Sequence, residues 1–350
     1  MRAAATLAAV GFAVIGLCLL SSCYLTAQGA RYLSIVATAK PAQKLLADPG
    51  TDADTRRLLE TALAAREYAI GSIGLRETRN YRSLARVDSE HLVTVVQACA
   101  ALSFERHLWS FPFIGRLPYK GFFDPAEAGR EAERLKTLGY DVIARPSDAF
   151  STLGFLADPL FTFMRDYDEF EIAELVIHEM THATIFLRGS AAGNFNEELA
   201  TFTGRQGALD FIESRHGKDS EIFRRAREGI GEARVFASFL RDTALRLEKI
   251  YASNSGDREK LEAKRAVIEA RAAEYEKLGP TLFASGRLSR YAGYPMGRIN
   301  NALLDLYRLY EGELEIYESY FTDRCGSDLA TFIRTLRESG NPARELRAGS

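Results

Sequence analysis

Residues 178–182 read His178-Glu179-Met180-Thr181-His182, and this H-E-x-x-H stretch is the most informative part of the chain. The surrounding segment has helical spacing of its apolar residues, and positions i and i+4 of a helix lie on one face. Two imidazoles placed this way can reach one Zn²⁺ ion, while the glutamate beside the first points towards the open coordination position. The sequence therefore predicts His178 and His182 as metal ligands, with a chance match on a buried helix as the alternative.

The context of the motif favours a buried helix with a functional centre. Asp168 and Glu171 form a predicted capping box at its start, and Gly189 is the expected stop after Arg188. The apolar positions between them are Phe170, Ala173, Leu175, Val176, Ile177, Ala183, Ile185 and Phe186. Buried imidazole and carboxylate groups need polar partners, and a metal ion supplies one.

A candidate third ligand follows the Gly189–Gly193 turn, in the segment Asn194-Phe195-Asn196-Glu197-Glu198. H-E-x-x-H followed by Asn-Glu at the start of the next helix resembles the gluzincin metallopeptidases, which include thermolysin and aminopeptidase N. The resemblance implies that Glu197 is the third zinc ligand, with Glu198 as the alternative. Thermolysin has an Asp four residues after its ligand Glu, and this Asp orients the first histidine. Thr201 stands at that position here, so the orienting role is not carried over.

The N-terminus predicts the compartment. Met1-Arg2 precedes the apolar run Ala3–Leu20, which has the layout of a secretory signal, although an uncleaved membrane anchor is the alternative. The next residues, Ser21-Ser22-Cys23, complete a Leu-Ser-Ser-Cys sequence that resembles the bacterial lipobox. The resemblance implies a signal peptide over residues 1–22 and lipidation of Cys23. The mature chain is then tethered to a membrane in the bacterial periplasm, and Tyr24 after the cysteine favours the outer membrane.

Composition agrees with a folded globular protein and argues against nucleic acid as a partner. Hydrophobic residues make up 47% of the chain and charged residues 26%, and the formal net charge is −2. Cys99 and Cys325 are the cysteines that remain beyond Cys23, and one disulfide or two buried thiols are both compatible with the sequence. Neither has the spacing of a zinc finger, so a thiolate zinc site is not expected.

The pattern of elements predicts an α+β domain over residues 23–350, helix-rich with a small mixed sheet. The expected strands are 81–87, 91–96 and 140–144, and the expected helices include 53–73 and 125–138. Residues 220–251 and 257–278 predict a long antiparallel helical hairpin, which we expect to form an appendage over 220–278. A mixed sheet ahead of an H-E-x-x-H helix is the arrangement that zincin-like domains use.

Further segments resemble a narrower family. The segments in order are Trp109–Gly115, Pro118–Phe123, Phe150–Gly154 and Asp158-Pro159. With the lipobox and the motif helix, they resemble bacterial lipoproteins described as putative aminopeptidases. The resemblance covers most of the chain and is weakest over residues 220–278. It implies a zinc metallopeptidase that acts on a peptide or protein substrate at the membrane surface.

The predicted ligand set defines the chemistry. Two imidazoles and one carboxylate leave zinc an open position for water, whose pKa falls to about 7. Glu179 would take the proton of that water and pass it to the leaving amine. Tyr291 and Tyr294 are candidate donors to the developing oxyanion, and Tyr119 is another.

A substrate-binding strand is also predicted, formed by Phe150-Ser151-Thr152-Leu153-Gly154. An edge strand beside the site can pair with the substrate backbone, and an ordinary packed loop is the alternative. The site residues of this segment are then Phe150, Ser151, Thr152, Leu153 and Gly154.

The preferred function is that of an aminopeptidase. An endopeptidase or processing protease is the first alternative, because an aminopeptidase needs an acidic group for the substrate's α-amine and the sequence identifies none. Glu169, Glu171 and Glu198 are candidates only by their nearness in sequence. The second alternative is a non-catalytic scaffold in the cell envelope, against which the intact Glu179 argues.

Overall fold

The computed structural model describes residues 24–348 except 25, 112–114, 148–156, 189–192, 284, 286–288, 290 and 311–313. The signal segment 1–22, Cys23 and the predicted strand Phe150–Gly154 lie outside the described residues. Among the helices that are described, none combines the length and apolar character needed to cross a membrane.

Helices make up most of the described chain, and they are numbered in chain order. They are α1 (residues 26–36), α2 (Ala42–Ala47), α3 (Ala53–Tyr68), α4 (Pro125–Thr137), α5 (Glu169–Thr184), α6 (Gly193–His216), α7 (Glu221–Tyr251), α8 (Asp257–Leu282), α9 (Asn301–Tyr310), α10 (Leu314–Asp323), α11 (Leu329–Glu338) and α12 (Pro342–Ala348). A π-helical turn, Ala69–Ile73, extends α3, and short 3-10 segments occupy Thr162–Asp166 and Met296–Arg298.

The strands form small sheets. They are β1 (Lys40–Pro41), β2 (Ser83–Ala85), β3 (Val93–Ala100), β4 (Trp109–Phe111), β5 (Gly115–Leu117), β6 (Lys120–Phe122), β7 (Tyr140–Ser147) and β8 (Leu160–Phe161). In the largest sheet β3 pairs antiparallel with both β6 and β7. A second sheet is mixed, because β2 pairs antiparallel with β1 and parallel with β8. The prediction of a helix-rich α+β chain with small mixed sheets is confirmed.

The predicted start of α5 is confirmed and its predicted end is wrong. The Asp168 carboxylate accepts from Glu171 N, and the Glu171 carboxylate accepts from Asp168 N, so the capping box is formed. The helix ends at Thr184 instead of Arg188, and Ile185 is already extended. The Thr184 hydroxyl donates back to Met180 O, a local competition with the helix ladder that β-branched hydroxyl residues favour near helix ends.

The predicted strand 81–87 is shorter than expected. The pairing of β2 begins only at Ser83, because Tyr81 adopts φ +60° and turns the chain. Burial accounts for this conformation, which is uncommon for a non-glycine residue. Tyr81 is 5% exposed, and its N–H donates to Asp158 O at 2.7 Å. The helix predicted over 53–73 is confirmed as α3 with its π-helical extension.

The hydrophobic core contains α5 at its centre, with α3 and α6 packed against it. A separate apolar cluster joins α7 and α8 to α9. The α7–α8 pair is the predicted hairpin, and it touches the largest sheet through Lys264, whose ammonium donates to the Asp141 carboxylate on β7 at 2.5 Å. Cys99 and Cys325 are both buried and both free, so of the two arrangements compatible with the sequence the structure has two thiols.

Candidate metal centre

The centre lies where α5 and α6 come unusually close together. A side chain on Gly204 would place its Cβ 3.1 Å from Glu174 O and 3.1 Å from His178 Cβ. One turn further along α6, a Cβ on Gly207 would lie 3.1 Å from Cγ2 of Ile177. Glycine at these two positions therefore lets the backbone of α6 pack directly on the H-E-x-x-H turn of α5.

The loop between the two helices is tied by Asn196. Its side-chain amide accepts from Leu187 N at 2.9 Å and donates to Leu187 O at 2.8 Å. The residue is 4% exposed, so these bonds are shielded from water. This clamp fixes the start of α6 against the end of α5, and thereby sets the position of Glu197, the next residue.

Three predicted ligands converge as a result. His178 Nε2 and His182 Nε2 are 3.2 Å apart, and the Glu197 carboxylate oxygens lie 3.7 Å and 3.5 Å from them. A tetrahedral ion with bonds of about 2.0–2.1 Å sets its donor atoms about 3.3–3.4 Å apart. The observed separations match that geometry, and their residue types are those zinc prefers. Among the histidine, cysteine and acidic side chains in the described part of the chain, these three form a group that could hold a metal ion.

Burial and mutual contact shift the pKa values of the three side chains in different directions. Burial, reinforced by the neighbouring His178, lowers the pKa of His182 to about 4, so its imidazole is neutral and keeps a lone pair for a metal. Burial also opposes a charge on His178, but the Glu197 carboxylate outweighs it and raises the pKa of His178. Burial pushes the pKa of Glu197 upwards, but the contact with His178 lowers it overall. Nδ1 of His182 is buried and has no hydrogen-bond partner among the described residues.

The alternative ligand, Glu198, faces a different part of the molecule. It is 2% exposed, and its carboxylate accepts a hydrogen bond from Tyr317 OH at 3.3 Å. Adjacent residues of a helix point about 100° apart, so one of the pair can face the histidines while the other enters the core. The structure brings Glu197 to His178 and His182, and Glu198 to Tyr317.

Glu179 lies beside a buried polar cluster that sequence reasoning missed. The residue is 6% exposed, and burial followed by the Glu179 charge raises the pKa of Tyr81 well above its ordinary value. Burial and the Asp158 carboxylate raise the pKa of Tyr32, and the Glu179 charge contributes to the same increase. Tyr32 OH donates to Asp158 Oδ1 at 2.5 Å, and Asp158 N donates to Asn80. The one sequence signal for this cluster is the Asp158-Pro159 segment of the family resemblance.

The predicted oxyanion donors are distributed over two places. Tyr291 stacks on Phe236 with ring centroids 4.7 Å apart, and Tyr294 meets the same ring edge-on at 4.9 Å. Both belong to the apolar cluster of α7, α8 and α9, whereas α5 belongs to the other core.

Tyr119 lies at the strand edge before β6 and is 45% exposed. Partial burial and then the Glu197 charge raise its pKa, so this phenol is electrostatically coupled to the trio. Arg145 on β7 contributes to lowering the pKa of Glu197. Tyr119 and Arg145 therefore both interact electrostatically with Glu197.

The chain belongs to a family described as "putative aminopeptidase", whose model matches residues 23–348. Family membership indicates a peptidase in coarse terms. No curated protein and no solved structure matches the chain.

Proposed function

We propose that the protein is a zinc metallopeptidase, by preference an aminopeptidase, with H-E-x-x-H and Glu197 forming a gluzincin-like centre. The observation that carries the proposal is the approach of His178, His182 and Glu197 to 3.2–3.7 Å beside the buried Glu179. The proposal includes that residues 23–350 form one zincin-like domain, which holds these four side chains together. When bound, zinc supplies polarisation of the scissile carbonyl and a water molecule of lowered pKa.

The chain's own residues then divide the remaining work. Glu179 accepts the proton of the attacking water and returns it to the departing amine. Tyr291 and Tyr294 remain candidate oxyanion donors, and Tyr119, which interacts electrostatically with Glu197, is another. The segment Phe150–Gly154, which follows β7 in the sequence and lies outside the described residues, is proposed to bind the substrate backbone.

The choice between aminopeptidase and endopeptidase depends on a group for the substrate's α-amine. Each acid suggested by the sequence is engaged elsewhere. The Glu169 carboxylate contacts His216 at 2.9 Å, Glu171 closes the capping box, and Glu198 accepts from Tyr317. Glu174 lies one turn before His178 on α5 and contributes to raising the His178 pKa, but it is engaged as well, in a 3.4 Å ion pair with Arg205.

The location proposed is the periplasmic face of the membrane, with Cys23 lipidated and the outer membrane favoured. Support comes from how the next residues attach to the body. Arg31 on α1 forms a bidentate pair with Glu127 at 2.9 Å, and Gln28 accepts from Phe123 N. The segment after Cys23 is therefore part of the folded domain, and an anchor at Cys23 would hold the domain close to the lipid.

Metal analysis together with two variants tests the proposal. Purified mature protein should hold about one zinc ion per chain. Glu179→Gln should retain that zinc and the fold but lose peptide hydrolysis by about 10²–10⁴-fold, whereas His178→Ala should lose the zinc. Zinc-free protein with full peptidase activity, or full activity in Glu179→Gln, would refute the mechanism. A zinc-loaded wild type that cleaves no peptide in a broad library would favour the scaffold.

A further inference from the structure

A cleft beside the end of α5 is lined by arginines. Its volume is about 370 Å³, and it is formed by the loop that joins the π-helical turn to β2 together with one residue of α5. The lining residues are Arg76, Glu77, Thr78, Arg79, Asn80, Arg82 and Ala183. We call it the arginine cleft.

The loop that carries these arginines is held in place from several directions. Arg76 N donates to Thr184 Oγ1 on α5, and Ala42 N donates to Arg82 O. From below, the buried Arg66 donates to the carbonyl oxygens of Thr78 and Asn80. The cleft is therefore a fixed backbone cradle, in which binding a ligand requires little ordering of the chain.

The charges of the cleft do not balance. Arg82 pairs with Glu77 at 2.5 Å, but Arg76 and Arg79 have no ion-pair or side-chain hydrogen-bond partner among the residues the structure describes. Three guanidinium groups and one carboxylate leave two positive charges. Arg66, 2% exposed, adds a further cation beneath the loop, and its hydrogen bonds go to neutral oxygen atoms.

We infer that the arginine cleft binds a phosphate group. Arginine forks suit the oxygen geometry of phosphate, with which they form bidentate hydrogen bonds. Free phosphate carries a charge of up to −2, which matches the excess in the cleft better than one carboxylate does, whereas a phosphodiester headgroup carries about −1 and relies on the bidentate geometry. The alternative is that the arginines only offset the partial negative charge at the end of α5, a role that needs no ligand.

The source of the phosphate is either a phospholipid headgroup or free phosphate. A headgroup is tested because the protein is proposed to be lipid-anchored at Cys23; β1, which pairs with β2, lies beyond α1 from that anchor. The inference does not depend on the zinc site, because none of the three proposed ligands lines the cleft.

Phosphate binding can be measured on purified mature protein in nonionic detergent. Inorganic phosphate titrated by calorimetry should bind saturably to the wild type, and Arg76→Gln/Arg79→Gln should weaken binding by at least about 10-fold. The control is Arg246→Gln/Arg258→Gln, which removes the same two charges from exposed positions on the hairpin and should bind as the wild type does. Absence of saturable binding, equal weakening by both double variants, or acetate binding as tight as phosphate would overturn the inference.

A second titration identifies the source. Short-chain phosphatidylglycerol, below its micelle concentration, is compared with the same diacylglycerol lacking phosphate. If the headgroup is the ligand, only the phospholipid binds, inorganic phosphate competes with it, and Arg76→Gln/Arg79→Gln abolishes the competition. If only inorganic phosphate binds, the cleft serves free phosphate. Melting temperatures of the variants within about 2 °C of the wild type would show that the fold is unchanged.

Discussion

The α5–α6 pair and the α7–α8 hairpin both bury charged side chains, but they treat them in opposite ways. On the hairpin each buried cation is matched. Lys264 contacts Asp141 at 2.5 Å and Ala101 O at 2.8 Å. Arg271 donates to Thr243, Phe239 O and Glu274, and it lies 3.5 Å above the Phe239 ring.

In the α5–α6 pair, His178, His182 and Glu197 contact one another and leave one buried nitrogen atom unmatched. The two Nε2 atoms are 3.2 Å apart, the Glu197 oxygens stay at 3.5–3.7 Å, and His182 Nδ1 has no partner in the described chain. Buried polar groups that are fully paired hold elements together, whereas unmatched ones cost stability. The buried cations of the hairpin are therefore structural, whereas the trio is the group that we propose binds a ligand.

Removing one carboxylate oxygen from the trio should have the largest effect. Glu197→Gln should weaken zinc affinity by more than about 100-fold, since even residues that only support a ligand change affinity by about 10–100-fold. Zinc affinity is measured by competition with a chromophoric chelator. Glu198→Gln is the matched control, because that carboxylate meets Tyr317 instead of the histidines. If the control loses zinc and Glu197→Gln keeps it, the ligand is the other glutamate.

A substitution on the hairpin should lower the stability of the protein and leave metal binding unchanged. Lys264→Met leaves the Asp141 carboxylate without its buried cation, and breaking such a pair costs about 3–5 kcal/mol. Denaturant unfolding of the two proteins would measure this change. Zinc affinity of the folded variant should stay within about 2-fold of the wild type. A variant of unchanged stability would show that the pair contributes nothing to docking.

The close contact of α5 and α6 can be tested with one methyl group. Gly204→Ala places Cβ 3.1 Å from the His178 Cβ and should destabilise the protein by about 1–3 kcal/mol, with weaker zinc binding as the histidine shifts. Gly229→Ala, on α7, meets nothing within 4 Å and should stabilise by about 0.5–1 kcal/mol. Thermal unfolding of both variants, with and without zinc, measures their changes in stability. Equal changes in the two variants would contradict the role assigned to Gly204.

The smallest effect is expected further along α6, at the partly buried carboxylate of Asp210, which lies near the acidic Glu213 and Asp328 as well as near Lys218. Burial raises the pKa of Asp210 to about 6, and Gln206 only partly opposes this. A raised pKa favours the protonated form in the folded state. Its contribution to stability is therefore present below the unfolded pKa near 4 and is lost as pH rises through 6.

Asp210→Asn should consequently stabilise the protein at pH 8 by about 1 kcal/mol, a value reduced for partial exposure, and by almost nothing at pH 4. Thermal melts at the two pH values measure the difference. If Asp210→Asn gained as much stability at pH 4 as at pH 8, titration of Asp210 would not be the cause of the gain.

The sequence by itself determined the local structure of the centre. The capping box of Asp168 and Glu171 and the i, i+4 spacing of His178 and His182 specify a helix start and a shared face, because both depend only on residues within one or two turns. The hairpin of α7 and α8 followed from periodicity for the same reason. The predicted end of α5 was wrong by four residues, because Leu187 is tied to Asn196 outside the helix, and this contact belongs to the tertiary structure.

Only the tertiary structure decided which atoms meet. Glu197 reaches the histidines because two glycines let α6 approach α5 and Asn196 fixes the intervening loop. Tyr32, Tyr81 and Asp158 gather beside Glu179 although more than 100 residues separate Tyr32 from Asp158. The arginine cleft depends on anchors from α2, α3 and α5 that no local pattern encodes. Periodicity determines which face of an element is buried, but the partner of that face is set by packing energies summed over the whole chain.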